Sequence, residues 1–274
     1  CSNCGRPICP DCMTPTPVGM RCPECSKEKT RVVRGVSSGG LGSIAAGGMP
    51  ATIVLIAINV AFFLAEIATG TGGLSSDSGS LLNDLGLQGA AVNNGEYYRI
   101  VSSGFMHAGL LHLGFNMFAL YFLGQVLEPG VGTPRFLLIY ATSLLAGSFG
   151  ALLLSGNFEV TVGASGAIFG LFGATFIIAG WRGASEIARG IGMVLVINLF
   201  LTFAIGGISI GGHLGGLVGG LICGVIVGAG ERGYFGKNGR GLEYVLMVVI
   251  AVISVAGAIA VTEPATVQVI QFPG

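Results

Sequence analysis

The chain has 274 residues, of which 52% are hydrophobic and 9% charged, and its mean hydropathy is +0.81. A soluble domain carries about 25% charged residues, so this balance excludes an ordinary soluble fold and points to a membrane protein. The 13 basic and 13 acidic residues cancel, which argues against nucleic acid as a partner.

Residues 1–30 are polar and rich in Cys and Pro, and six of the seven cysteines fall within the first 25 positions. No basic stretch leads into an apolar core there, so this is not a signal peptide. The sequence opens on Cys1 without a Met, and further residues are expected upstream. Residues 31–49 form a Gly/Ser-rich linker with little to bury. Seven apolar stretches follow, at 51–69, 108–127, 134–154, 165–181, 190–206, 210–229 and 242–262. Their lengths suit a bilayer core, which takes about 20 helical residues to cross. The longest gap, 70–107, carries Glu96, Tyr97, Tyr98 and Arg99.

Basic residues set the expected orientation. With the N-terminus cytoplasmic, 12 of the 13 Lys and Arg lie inside and only Arg99 lies outside, a strong positive-inside bias. Glycine is abundant, at 49 residues, and much of it lies within the apolar stretches, as close helix packing in lipid requires.

Ionisable and polar groups at membrane depth are expensive and mark function by default. The three histidines, His107, His112 and His213, all lie in or beside spans. The orientation puts His107 and His112 at the outer end of the second span and His213 one turn into the outer end of the sixth. Ser165 opens the fourth span from the same side, in Gly163-Ala164-Ser165-Gly166. A serine hydroxyl becomes nucleophilic when a neighbouring imidazole takes its proton. Unpaired N–H groups at a helix start suit an oxyanion. Asn116 follows His112 by four residues, on one helical face, so both offer further donors. Taken singly, each of these is more often a packing or interfacial residue; the case rests on their common depth. Two small-residue ladders, 212/216/220 and 211/215/219, run along the sixth span. Such ladders allow close backbone approach. Packed on a fourth span carrying Gly166, Gly170 and Gly173, they would bring His213 to Ser165.

These residues resemble the rhomboid intramembrane proteases. Gly163-Ala164-Ser165-Gly166 is similar to the family's GxSG nucleophile motif. Gly212-His213 with Gly216 and Gly220 resembles GHxxGxxxG, and His107, His112 and Asn116 resemble its second-helix histidine cluster with HxxxN. The resemblance covers roughly 50–262. It implies an all-α polytopic membrane fold, with a six-helix core and a seventh C-terminal helix. It also implies a Ser165–His213 dyad without an acidic third member, an oxyanion site at His112 and Asn116, and Phe169 against the histidine. No cofactor is implied for catalysis, and the substrates would be single-span membrane proteins in the bilayer. Glu159, before the nucleophile, receives no role. Tyr98-Arg99 departs from the Trp-Arg pair common in the family's first loop, and Arg99 is expected to brace that loop or meet headgroups.

Three CxxC pairs, Cys1/Cys4, Cys9/Cys12 and Cys22/Cys25, mark the head. Tetrahedral zinc takes two such pairs. A disulfide framework is the alternative, but the orientation puts the head in reducing cytoplasm. The head resembles small treble-clef or B-box-like zinc modules. Interleaved pairing would give Cys1, Cys4, Cys22 and Cys25 one structural zinc, leaving Cys9 and Cys12 to await further ligands. Cys223 is expected to be a packing residue. The expected organisation is a cytoplasmic zinc module (1–30), a linker (31–49), a membrane protease domain (50–262) and a short extracytoplasmic tail (263–274), in a multi-pass protein of the cell membrane. The active site would open outward, and the head would dock a cytoplasmic partner. A proteolytically inactive relative and a histidine-lined transporter are the rival readings. Retention of Ser165 and His213 disfavours the first, and the lack of midplane polar residues or inverted repeats disfavours the second.

Overall fold

The computed structural model describes residues 1, 4–9, 12–16, 19–23, 25, 48–69 and 80–262. The linker at 31–47 and the tail at 263–274 lie outside the described residues. The chain divides into two units, Cys1–Ser43 and Ile44–Gly274. In the first, β1 (Thr14–Thr16) and β2 (Gly19–Arg21) form an antiparallel hairpin with Thr14 opposite Arg21. This hairpin lies in sequence between the second and third cysteine pairs.

The second unit is helical. Its long helices are α1 (Pro50–Ala68), α2 (Leu110–Val131), α3 (Thr133–Leu154), α4 (Ser165–Trp181), α5 (Ser185–Ala204), α6 (Ile210–Glu231) and α7 (Gly239–Ala260). Six are long and apolar enough to cross a membrane. The expected fourth span, α4, is shorter at 17 residues. The reason is tertiary pairing. Residues 155–164 are held out of helix by bonds to the preceding loop, and Gly163 enters the helix with φ +120°, a conformation that favours glycine.

Helix ends are satisfied across the bundle as well as within it. Pro50 opens α1 at a position where its missing N–H costs nothing. The buried carboxylate of Glu128, near the end of α2, accepts from Ala51 N and Thr52 N at 2.9 Å each, and from the Thr52 hydroxyl at 2.6 Å. It also accepts from the Thr133 hydroxyl at 2.8 Å, so one carboxylate joins α1, α2 and the start of α3. A negative group is favoured at a helix N-terminus. α7 is tied to α3 by a bidentate pair, with the half-buried Arg135 donating from Nε and Nη2 to the buried Glu243 at 2.6 and 2.8 Å.

The core is built on glycine. α6 packs closely on both α3 and α4, and each of its two ladders serves one neighbour. A methyl at Gly216 or Gly220 would run into the carbonyls of Gly166 and Gly170 on α4. At Gly211 or Gly215 it would run into those of Gly150 and Ala146 on α3. Gly216 and Gly220 of the 212/216/220 ladder therefore face the fourth helix, whereas a methyl at Gly212 would meet Ser209 and Ala151. The outward faces carry large apolar side chains, such as Phe115 and Phe118 on α2 and Val196, Phe200 and Phe203 on α5. That is the surface a bilayer accepts.

Candidate functional site

Ser165 is the first residue of α4, and no side chain caps that helix. Its early N–H groups are therefore not taken up by a capping side chain. The approach to it is rigidly bonded. Leu87 and Thr161 exchange both backbone hydrogen bonds at 2.9 Å, and Gly163 N donates to Ser103 O at 2.9 Å. The loop that supplies these partners is itself clamped by Arg99, which is buried. Arg99 donates to Glu96 at 2.7 Å, to the Gly86 carbonyl at 2.8 Å, and to the Asn83 carbonyl. Arg99 thus braces the loop and does not face outward to headgroups. The Tyr98 hydroxyl, followed by Arg99, holds the Glu96 carboxyl below the usual carboxylate range by hydrogen bonding to its charged form.

His213 is the fourth residue of α6. The Ser209 hydroxyl caps this helix by accepting from Gly212 N at 3.1 Å. The imidazole is buried and held on two sides. Phe169, one turn after Ser165, stacks on it with centroids 4.0 Å apart and planes 20° apart. On its edge, Nδ1 lies 2.7 Å from the Thr202 hydroxyl of α5. Among the described residues no hydrogen bond joins Ser165 to His213. Their helices nonetheless meet backbone to backbone at Gly166 and Gly216, one residue beyond Ser165 and three beyond His213. Catalytic hydrogen bonds are often long without substrate.

His112 approaches from α2. A side chain at Gly163 would lie 2.8 Å from His112 Cε1 and Nε2, and 3.7 Å from Ser165 Oγ. Gly163 therefore lies between the second-helix histidine and the serine, and glycine is needed there for space as well as for φ. Asn116 is buried, and its Nδ2 donates back to the His112 carbonyl at 3.1 Å. His107 packs edge-on against His112 at 5.1 Å. The serine, three histidines, Asn116, Phe169 and the glycines 163, 212 and 216 thus gather at one end of the helical unit, with Gly220 deeper along the α4–α6 contact. Glu159 is exposed and remote from any bond to these groups. A small cavity beside Ser165 carries the hydroxyl residues Ser103, Ser148, Thr161 and Ser209 on its wall.

Two residues at the site escaped the sequence reading. Glu66, at the end of α1, is buried, and its Oε1 accepts from His107 N at 3.2 Å. Thr202 is one of two buried residues on α5. A carboxylate or hydroxyl on an otherwise apolar span was the available signal for each.

In the head, the thiols of Cys1, Cys4, Cys22 and Cys25 all lie within 4.8 Å of one another. Cys4 and Cys22 are 3.9 Å apart, and Cys22 N donates to Cys1 Sγ at 3.4 Å. Zinc–sulfur bonds of about 2.3 Å in a tetrahedron put sulfurs about 3.8 Å apart, so this set fits a metal ion. Among the described residues no disulfide forms. Cys9 and Cys12 are exposed and outside the cluster, and Cys223 is buried in the helical core.

The rhomboid domain family model matches residues 94–230. The chain is 34% identical over 206 residues to the rhomboid protease GluP of Bacillus subtilis, covering 73% of this chain and 39% of that protein. It is 36% identical over 126 residues to the putative rhomboid protease YdcA of the same organism, covering 45% of this chain and 63% of that protein. It is also 38% identical over 85 residues to the inactive RHOMBOID-like protein 8 of Arabidopsis thaliana, covering 31% of this chain and 24% of that protein. The chain therefore spans less than two thirds of the length of each of these relatives.

Proposed function

The chain belongs to the rhomboid family, and from that premise we propose that it is an intramembrane serine endopeptidase working through a Ser165–His213 dyad. One observation carries the reading. α4 and α6 touch through bare glycine backbone beside Ser165, and His213 is held there by Phe169. Similarity to a relative named inactive means that the family alone does not decide activity, so the argument rests on these side chains.

In this reading Ser165 Oγ attacks the scissile carbonyl while His213 takes its proton and returns it to the leaving amine. Negative charge on the tetrahedral oxygen is met by the N–H groups opening α4, by His112 and by the Asn116 carboxamide. Asn116 would have to turn its amide from the His112 carbonyl toward the oxyanion. The hydroxyl-lined cavity beside Ser165 would hold hydrolytic water. The substrates are membrane proteins cleaved in or near a transmembrane segment, and the positive-inside bias sets the site toward the extracytoplasmic face. The head binds structural zinc through Cys1, Cys4, Cys22 and Cys25 and offers a cytoplasmic docking module.

The test is labelling of purified protein with a fluorophosphonate. Wild type should label, and both Ser165→Ala and His213→Ala should not. Undiminished labelling of Ser165→Ala would sink the dyad.

A further inference from the structure

We propose that Thr202 is the positioning residue of the base: its hydroxyl accepts the Nδ1–H of His213 and so leaves Nε2 bare to take the Ser165 proton. The inference rests on the Ser165–His213 dyad and adds the element that orients it.

A hydroxyl has one hydrogen to give and two lone pairs to receive. The Thr202 hydroxyl donates its hydrogen to the Asn198 carbonyl of its own helix at 2.7 Å. Its bond to His213 Nδ1, also 2.7 Å long, must then have the imidazole as donor. In a neutral imidazole a proton on Nδ1 leaves Nε2 as the acceptor, and the partner of one ring nitrogen sets the state of the other. Stacking on Phe169 restrains the ring face without choosing between tautomers. Thr202 makes that choice.

The placement supports a role beyond packing. α5 is the least buried of the six long apolar helices. Ile191 and Thr202 are its buried residues, while Val196, Ile197, Phe200 and Phe203 point outward. A valine would fill the same volume and avoid burying a hydroxyl. Because the acceptor rides on α5 and the base on α6, the proton state of His213 depends on α5 being seated.

The experiment compares Thr202→Val and Thr202→Ser with wild type and Ser165→Ala in detergent, on a transmembrane model substrate and on a fluorophosphonate. Thr202→Val should lose about tenfold to a hundredfold in kcat with KM nearly unchanged, the range seen when an orienting partner is removed. Thr202→Ser should return most of that loss. Wild-type kcat in Thr202→Val, or equal losses in both variants, would overturn the proposal while leaving the dyad intact. Full labelling of Ser165→Ala would overturn both. A check on unaltered protein needs no variant fold: with three histidines in the chain, the ¹⁵N shifts of His213 are assignable. They should report a protonated Nδ1 and a bare Nε2, and the reverse pattern refutes the assignment.

Discussion

Replacing Gly216 by alanine isolates the contact on which the site depends. The added methyl would lie 2.6 Å from the Gly166 carbonyl carbon and 2.9 Å from its Cα. Carbon atoms sit comfortably at about 3.5–4.0 Å, and the obstruction is backbone on both sides. No side chain can rotate away, so α6 must retreat from α4 by about 1 Å. Overpacking of this kind costs about 1–3 kcal/mol. The larger effect is on chemistry, because the retreat occurs one residue from Ser165 and three from His213. A misplacement of about 1 Å costs roughly a hundredfold in rate. Gly216→Ala should therefore lose about two orders of magnitude in fluorophosphonate labelling rate and in cleavage of a transmembrane substrate, with only a modest fall in thermal midpoint. Gly190→Ala, on α5, is the control: a methyl there meets nothing within 4 Å. It should label like wild type and gain slightly in stability, since alanine outranks glycine in helices. Wild-type labelling by Gly216→Ala would show that the glycine contact does not position the pair.

Three further outcomes are expected. Arg135→Ala should destabilise the helical unit by about 3 kcal/mol or more, because it leaves the Glu243 carboxylate buried without its partner; Arg135→Leu with Glu243→Leu should recover most of the midpoint lost in thermal unfolding. Glu96 is held below its ordinary pKa in the folded loop, so its contribution is present above the usual carboxylate range and is lost as pH falls through the lowered value. Hydrogen exchange of residues 80–106 should accelerate at acid pH in wild type, and Glu96→Gln should flatten that dependence. The head should bind one zinc per chain by metal analysis, and Cys22→Ser should release it without altering labelling at Ser165.

The helices were legible because apolar length in a membrane chain leaves few alternatives, and all seven stretches are helical in the structure. The short fourth span was legible too, since its expected bounds, 165–181, are those of α4. What holds residues 155–164 out of helix was not, because it is pairing with Leu87 and Ser103, far away in sequence. The glycine ladders announced close packing, yet periodicity alone did not say which neighbour each would meet. That was decided by small residues on both facing helices: Gly150 and Ala146 for one, Gly166 and Gly170 for the other.

Thr202 and Glu66 mark a different limit. Each is a single polar residue in an apolar span, and its meaning depends on a partner in another element. For Thr202 the partner is His213, 11 residues on; for Glu66 it is the His107 amide, 41 residues on. Sequence marked the proposed nucleophile, the proposed base and the glycines at which their helices meet, because those come as local motifs. The residues that orient them do not form a motif. A hydroxyl that must accept a proton-bearing edge can come from any element passing within 3 Å, here the helix with least packing of its own. A dyad lacking an acidic third member still needs its imidazole held in one tautomer. In the proposed dyad the neutral Thr202 hydroxyl would meet that need, at less desolvation cost than burying a carboxylate beside the base would incur.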